Sequence, residues 1–178
     1  MDSLNREMLL RTVAGLGLHN GLEILELEIG NNGQLEQLME MRPHIIYLDK
    51  DASHLEEPND RTEKWVQLSD GFPAFNDRTY DRIVCINTIH FWKRPKDLMG
   101  QLYRVLKDGG LIAIGFVQGS ILERLPADGY KPYDIPKLLR LFGVFPFKSI
   151  DIANHMIKIK GTDGTGISTD YTVLTLEK

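Results

Sequence analysis

Apolar positions along this chain alternate between two rhythms. Short, nearly unbroken apolar runs suit buried strands, and the stretches between them, where apolar residues recur every three or four positions, suit one-sided helices. Leu4, Met8, Leu9 and Thr12 predict a helix over 4–14, stopped by Gly15 and Gly17. Glu23 to Glu28 reads as a strand, a turn follows, and Gln34 to Met41 reads as a helix ended by Pro43. His44 to Asp49 is a second strand, after which Asp51 could cap a short helix through Leu55. Glu57 to Thr62 is polar and turn-rich, Trp65 to Leu68 is a third strand, and Ser69 to Pro73 is a loop.

Arg82 to Asn87 is a fourth strand, and Pro95 opens a helix whose Leu98, Leu102, Val105 and Leu106 line one face. Gly109-Gly110 is expected to end that helix, with a fifth strand over Leu111 to Phe116. Gly119 to Tyr133 is irregular, and Pro136 opens a helix through Leu138, Leu139 and Phe142 to Gly143. A long strand then runs from Phe147 to Lys160, a turn-rich segment spans Gly161 to Gly166, and Thr169 to Glu177 alternates like a strand. Two strands joined by so short a turn are antiparallel. The expected fold is α/β: a doubly wound, mostly parallel, seven-stranded Rossmann-like sheet with a C-terminal antiparallel hairpin.

Composition narrows the class of protein. A length of 178 residues with 42% hydrophobic content suits a single domain over 1–178. A balance of 21 basic against 25 acidic residues leaves no general footprint for duplex nucleic acid. Cys85 is the only cysteine, so no internal disulfide is possible, and no basic, apolar leader precedes the first helix. No apolar run approaches the ~20 residues that a membrane helix needs. A cytoplasmic protein without membrane or nucleic-acid partners is the expectation.

Ligands of open α/β sheets lie beyond the carboxyl ends of the strands. Four places in the sequence fall there: the turn from Glu28 to Gln34, Asp49, Asp70-Gly71, and the segment from Asn87 to Trp92. Asp49 stands nineteen residues after Gly30 and ends an apolar run. Such a carboxylate can accept both hydroxyls of a ribose, or it can cap the next turn. Asp70 can accept from an adenine amino group or simply open an Asp-Gly turn. His90 can serve as a general base, since imidazole titrates near neutral pH, or can pack beside Phe91 and Trp92. Asp49 and Asp51 lack a third ligand at defined spacing, so no metal is expected. Lys93, Arg94 and Lys96 read as a solvated helix start, and Phe142, Phe145 and Phe147 as core and lid packing.

Several of these segments together resemble class I S-adenosylmethionine (SAM) dependent methyltransferases of the small-molecule, type 11-like group. Glu28-Ile29-Gly30-Asn31-Asn32-Gly33-Gln34 resembles the E-x-G-x-G-x-G cofactor loop of that family, with Asn32 and Gln34 in place of the second and third glycines. Tyr80-Asp81 before strand four, Asn87 to Trp92 after it, and Arg104-Val105-Leu106-Lys107-Asp108-Gly109-Gly110 are similar to its more specific signature, with Asp108 where proline usually stands. The resemblance spans nearly the whole chain. It implies SAM as cofactor, with Glu28, Gly30, Asn32, Asp49, Asp70 and Gly71 at cofactor positions, Asn87 beside the methyl donor, and His90 as the candidate catalytic base for a small-molecule acceptor. Tyr47 replaces a glycine that often stands two residues before the ribose acid.

Those replacements leave two readings open: a methyltransferase with an altered but working loop, or a non-catalytic relative that has lost SAM and serves as a binding or partner module. Asparagine visits left-handed backbone more readily than most residues and Gly33 can share the turn, so Asn32 is the milder change. Gln34 costs little on the helix but would crowd a methionine tail if it faced the crevice. An oxidoreductase using a dinucleotide shares the glycine turn and the acid after strand two, and is the third possibility. The acceptor and the oligomeric state are not written in the sequence.

Overall fold

The computed structural model describes residues 3–28, 44–49, 63–67, 72, 74–118, 131–160 and 166–178. The short apolar runs become strands β1 (Ile24–Glu28), β2 (His44–Asp49), β3 (Glu63–Gln67), β4 (Tyr80–Ile86) and β5 (Leu106–Val117). The two longer alternating stretches become β6 (Ser149–Lys160) and β7 (Gly166–Glu177). Their order across the sheet is β3-β2-β1-β4-β5-β7-β6. β1 to β5 pair in parallel, while β7 pairs antiparallel with both β5 and β6. The expected helices over 34–41 and 51–55 lie outside the described residues.

Helices cover both faces because both faces are apolar. Ile83 and Cys85 in β4, with Ile112, Ile114 and Phe116 in β5, project toward α2 (Pro95–Val105) and α3 (Ile135–Phe142). Their alternates Val84, Ile86, Ala113 and Val117 join Met8 and Leu9 of α1 (Ser3–Ala14) in a second cluster on the opposite side. A strand's two-residue period therefore feeds two cores at once. α2 buries Leu98, Met99, Leu102 and Val105, each side chain contributing about 1.5–3 kcal/mol when removed from water. α3 starts at a cap: the Asp134 carboxylate accepts from the Lys137 backbone amide at 2.7 Å.

One expected boundary is corrected. The helix from Pro95 stops at Val105 rather than at Gly109-Gly110, because Leu106 is already extended (φ −74°, ψ 135°) and pairs with Tyr80 in the sheet. The register then shifts between Tyr80 and Arg82, and the two glycines lie in the irregularity that the shift requires. Gly109, at φ +76°, donates its amide to the Lys178 carbonyl at 2.7 Å, and the Lys178 amide donates to the Gly110 carbonyl at 3.1 Å.

The Lys178 side chain completes this join. Its ammonium donates to the carbonyls of Tyr103 (2.9 Å) and Leu106 (2.7 Å) at the end of α2 and lies 4.6 Å from the centre of the Tyr103 ring. These carbonyls lack helical partners, and a cation there also complements the helix dipole. Lys178→Ala is expected to lower stability by about 1.5–3 kcal/mol, the worth of hydrogen bonds to a charged group, as read from urea denaturation.

Asp81 ties three elements together at the amino end of the parallel strands. Its carboxylate accepts from the Glu23 amide at 3.0 Å and from the Lys107 ammonium at 2.7 Å. Partial burial would raise its pKa, but the lysine and the amide outweigh that effect and hold it below the usual carboxylate range.

Candidate functional site

The order β2-β1-β4 contains the point where the chain changes direction across the sheet: β1 is flanked by β2 on one side and by β4 on the other. In open α/β sheets the ligand crevice lies beyond the carboxyl ends of the strands that flank such a point, here β1 and β4. Three of the residues singled out in the sequence stand at that edge. Glu28 is the last residue of β1, Asp49 is the last of β2, and Asn87 follows the last residue of β4. The register sets Glu28 directly beside Tyr47, and Leu27 beside Cys85. Asp49 is thus two residues beyond Glu28 in level, and Asn87 one residue beyond. Gly30, Asn32, Gln34, Asp70 and Gly71 lie outside the described residues.

Asn87 has the most distinctive backbone at this edge, with φ +54°. Left-handed backbone costs a non-glycine residue about 1–2 kcal/mol, least for Asn and Asp, and such strain tends to collect where a ligand is handled. The neighbouring strand holds it. The Asn87 amide donates to the Gly115 carbonyl at 2.8 Å, and its side-chain oxygen accepts from the Val117 amide at 3.2 Å. Asn87→Ala is expected to cost about 1–3 kcal/mol, whereas Asn87→Gly, which keeps the backbone conformation and loses only the side-chain bond, should be about 1 kcal/mol more stable than the alanine variant. Thermal unfolding of the pair checks this ordering.

His90 lies in the 3-10 turn Ile89–Phe91 and is 1% exposed. Its Nδ1 faces the Lys131 carbonyl at 3.0 Å and its Nε2 faces the Val117 carbonyl at 3.0 Å. The Lys131 amide returns a bond to the His90 carbonyl at 2.9 Å, and the ring packs near Phe116 and Tyr133. Main-chain carbonyls face both ring nitrogens, and the neutral ring donates to one of them, either at the end of β5 or in the segment before α3, while the imidazolium donates to both. Burial holds its pKa below the ordinary value, although the two carbonyls pull the other way.

The sign of the pH effect follows. As pH falls below about 6.5, the unfolded chain takes up the proton before the folded one does, so stability is lost from there down toward the folded pKa. Urea midpoints of the wild type should therefore drop between about pH 7.5 and about pH 5.5 by more than those of His90→Gln.

Some residues near the edge carried no signal in the sequence. Thr88 is fully buried and accepts from the Trp92 indole at 3.3 Å. Gln118, just past β5, donates to Thr172 at 2.9 Å and to Asn154 at 3.4 Å, and Thr172 donates to Asn154 at 2.9 Å. Glu26, the alternative acid if the cofactor loop is read two residues earlier with Glu28 on a glycine position, is 1% exposed within β1. An alternating strand pattern gives no hint of polar residues that pair only across strands. Among the described residues no group of three or more His, Cys, Asp or Glu could hold a metal.

This edge and sheet order define the class. The model of the methyltransferase domain family matches residues 25–114, and the chain belongs to that family, whose cofactor is SAM. It is 24% identical over 139 residues to the erythromycin 3''-O-methyltransferase of Saccharopolyspora erythraea, a match that covers 72% of this chain and 45% of that enzyme. The fold is similar to a SAM-dependent methyltransferase from Archaeoglobus fulgidus (TM-score 0.70, 15% identity, 98% of this chain and 93% of that one). It is also similar to phosphoethanolamine N-methyltransferase 2 of Haemonchus contortus in complex with SAM (TM-score 0.66, 14% identity, 98% of this chain and 52% of that one).

The residue types at this edge suit a cofactor that carries an ammonium and ribose hydroxyls: acidic residues end β1 and β2, and the left-handed Asn87 follows β4.

Proposed function

We propose that the protein transfers a methyl group from SAM to a small-molecule acceptor. One observation carries the reading: Glu28, Asp49 and Asn87 come to one carboxyl edge of three adjacent strands, and Asn87 is held there in a left-handed conformation. In this reading Glu28 accepts from the cofactor's ammonium, Asp49 from its ribose hydroxyls, Asp70 from the adenine amino group, and Gly30, Asn32 and Gly71 form the turns that let the backbone approach. When bound, SAM would supply a methyl carbon on a sulfonium centre, open to in-line attack by an acceptor lone pair with departure of the thioether. Placement and exclusion of water can carry such a step without a protein nucleophile.

His90 is better read as a positioning residue than as a base, since main-chain carbonyls face both of its nitrogens. The acceptor is a free small molecule rather than nucleic acid or a membrane lipid, in keeping with the net charge of −4 and with the erythromycin 3''-O-methyltransferase among its relatives. A cytoplasmic location accords with a single, buried cysteine.

Calorimetric titration with SAM and, separately, with S-adenosylhomocysteine tests the proposal. Micromolar binding of either, about −8 kcal/mol, is the expected result. No heat up to about 1 mM would overturn it in favour of a non-catalytic relative. That second reading has its own observation: Tyr47, bulky where the family often has glycine, stands directly beside Glu28 in the sheet.

A further inference from the structure

β6 closes one side of the sheet, with β7 as its only strand neighbour among the described residues. An edge strand offers unpaired amides and carbonyls, and proteins usually blunt such edges with short length, proline, bulges or charge. This strand runs twelve residues, contains no proline, pairs with β7 without a break in register from Ser149 to Lys160, and carries its lysines, Lys158 and Lys160, only at its C-terminal end. Two of the five exposed large apolar side chains among the described residues stand on it: Ile152, 40% exposed, and Met156, 67% exposed. Their β7 partners are Leu174 and Asp170, an even number of residues apart, so both project from the same face of the sheet.

We propose that β6 pairs antiparallel with β6 of a second copy of this chain, about a two-fold axis through Asn154. An axis perpendicular to the sheet keeps each face continuous, so facing residues must share parity. Centring on Asn154 sets Ile152 of each copy against Met156 of the other, Ala153 against His155, and Asn154 against itself. Shifting the axis by one residue toward the C-terminus sets Ile152 against Lys158, and shifting it the other way sets Ile152 against Asn154 and Lys148 against Lys158. The chosen register is the one that covers both exposed apolar side chains with each other. It also runs almost the full strand, from Ser149 facing Ile159 to Ile159 facing Ser149, and places the small Ala153 opposite the larger His155.

Sedimentation equilibrium from about 1 to about 100 micromolar is the first measurement, since an interface of this modest size should dissociate in the micromolar range. The expected mass rises from 20.3 kDa toward twice that value. Ile152→Lys with Met156→Lys should keep the protein monomeric throughout, with a melting temperature close to that of the wild type at the dilute end of the range, where both are monomers.

Register is tested by oxidation. Asn154→Cys should form an intermolecular disulfide, because facing residues bring Cα atoms to about 4.5–5.5 Å. The native Cys85 is buried and does not compete. Asp151→Cys should not cross-link, since its copy lies six positions along the strand, about 20 Å away. A protein that stays monomeric at every concentration, a dimer that survives the double lysine substitution, or Asp151→Cys cross-linking as fast as Asn154→Cys would each overturn the proposal.

Discussion

Gly115→Val is expected to abolish stable folding, and Gly115→Ala to cost about 1–3 kcal/mol, the usual range for overfilling a packed interior. Gly115 lies in β5 on the face that α1 covers, between Ala113 and Val117. A Cβ added there would run into the Thr12 hydroxyl, and would stand 3.0 Å from Met8 Cγ and 3.3 Å from Ile86 Cδ1. Thr12 cannot easily turn away, because it is buried and its hydroxyl donates to the Met8 carbonyl at 2.7 Å. α1 therefore touches the sheet at Gly115 with no room for a methyl group. Valine adds two more carbons and should exceed about 4 kcal/mol, large enough to unfold a marginal domain. Adding Thr12→Ala to Gly115→Ala should recover part of the loss, a coupling that urea denaturation of the four proteins in the cycle measures. A cost below about 0.5 kcal/mol for Gly115→Ala would mean that α1 is not seated as described.

Gly115 also shows where sequence reading stops. Within Ile112 to Val117 the glycine reads as one more small residue in an apolar strand, and only the position of a helix a hundred residues earlier explains it. The parallel strands themselves were legible because burial on both faces leaves nearly unbroken apolar runs, and β2 fell on the expected residues 44–49. The end of α2 is not legible in the sequence because Gly109-Gly110 is a common helix stop, whereas here the glycines serve a bulge pinned to Lys178. The motif around Tyr80-Asp81 and Arg104 to Lys107 identified the family well, yet its charged residues work far from the crevice. Asp81 binds Lys107 and the amide of Glu23, while Arg104 reaches the Phe75 carbonyl and Asp77. A signature can thus be specific because the fold needs it. His90 is the converse case: its residue type suggested a base, but a sequence cannot show that Lys131 and Val117 turn their carbonyls toward the ring.

Glu28→Gln is expected to lower SAM affinity by at least thirtyfold, or about 2 kcal/mol, if Glu28 accepts from the cofactor's ammonium. A unit charge pair at ~4 Å is worth ~4 kcal/mol at an effective dielectric of ~20, and desolvation of both partners removes part of that. Glutamine keeps the shape and one acceptor, so the change isolates the charge. Glu28 ends β1 at the crevice, whereas Glu26 sits two residues deeper and is 1% exposed. Calorimetry of Glu26→Gln is therefore the companion measurement. If Glu26→Gln weakens SAM and Glu28→Gln does not, the cofactor loop begins two residues earlier than proposed, with Glu28 itself on a glycine position. Asn32→Gly combined with Gln34→Gly completes the test. In a working site this pair changes affinity by less than about threefold, because the wild-type turn already admits the cofactor. Affinity that appears only in the double glycine variant would show instead that Asn32 and Gln34 close the loop to SAM, and that the protein keeps the methyltransferase fold for some other purpose.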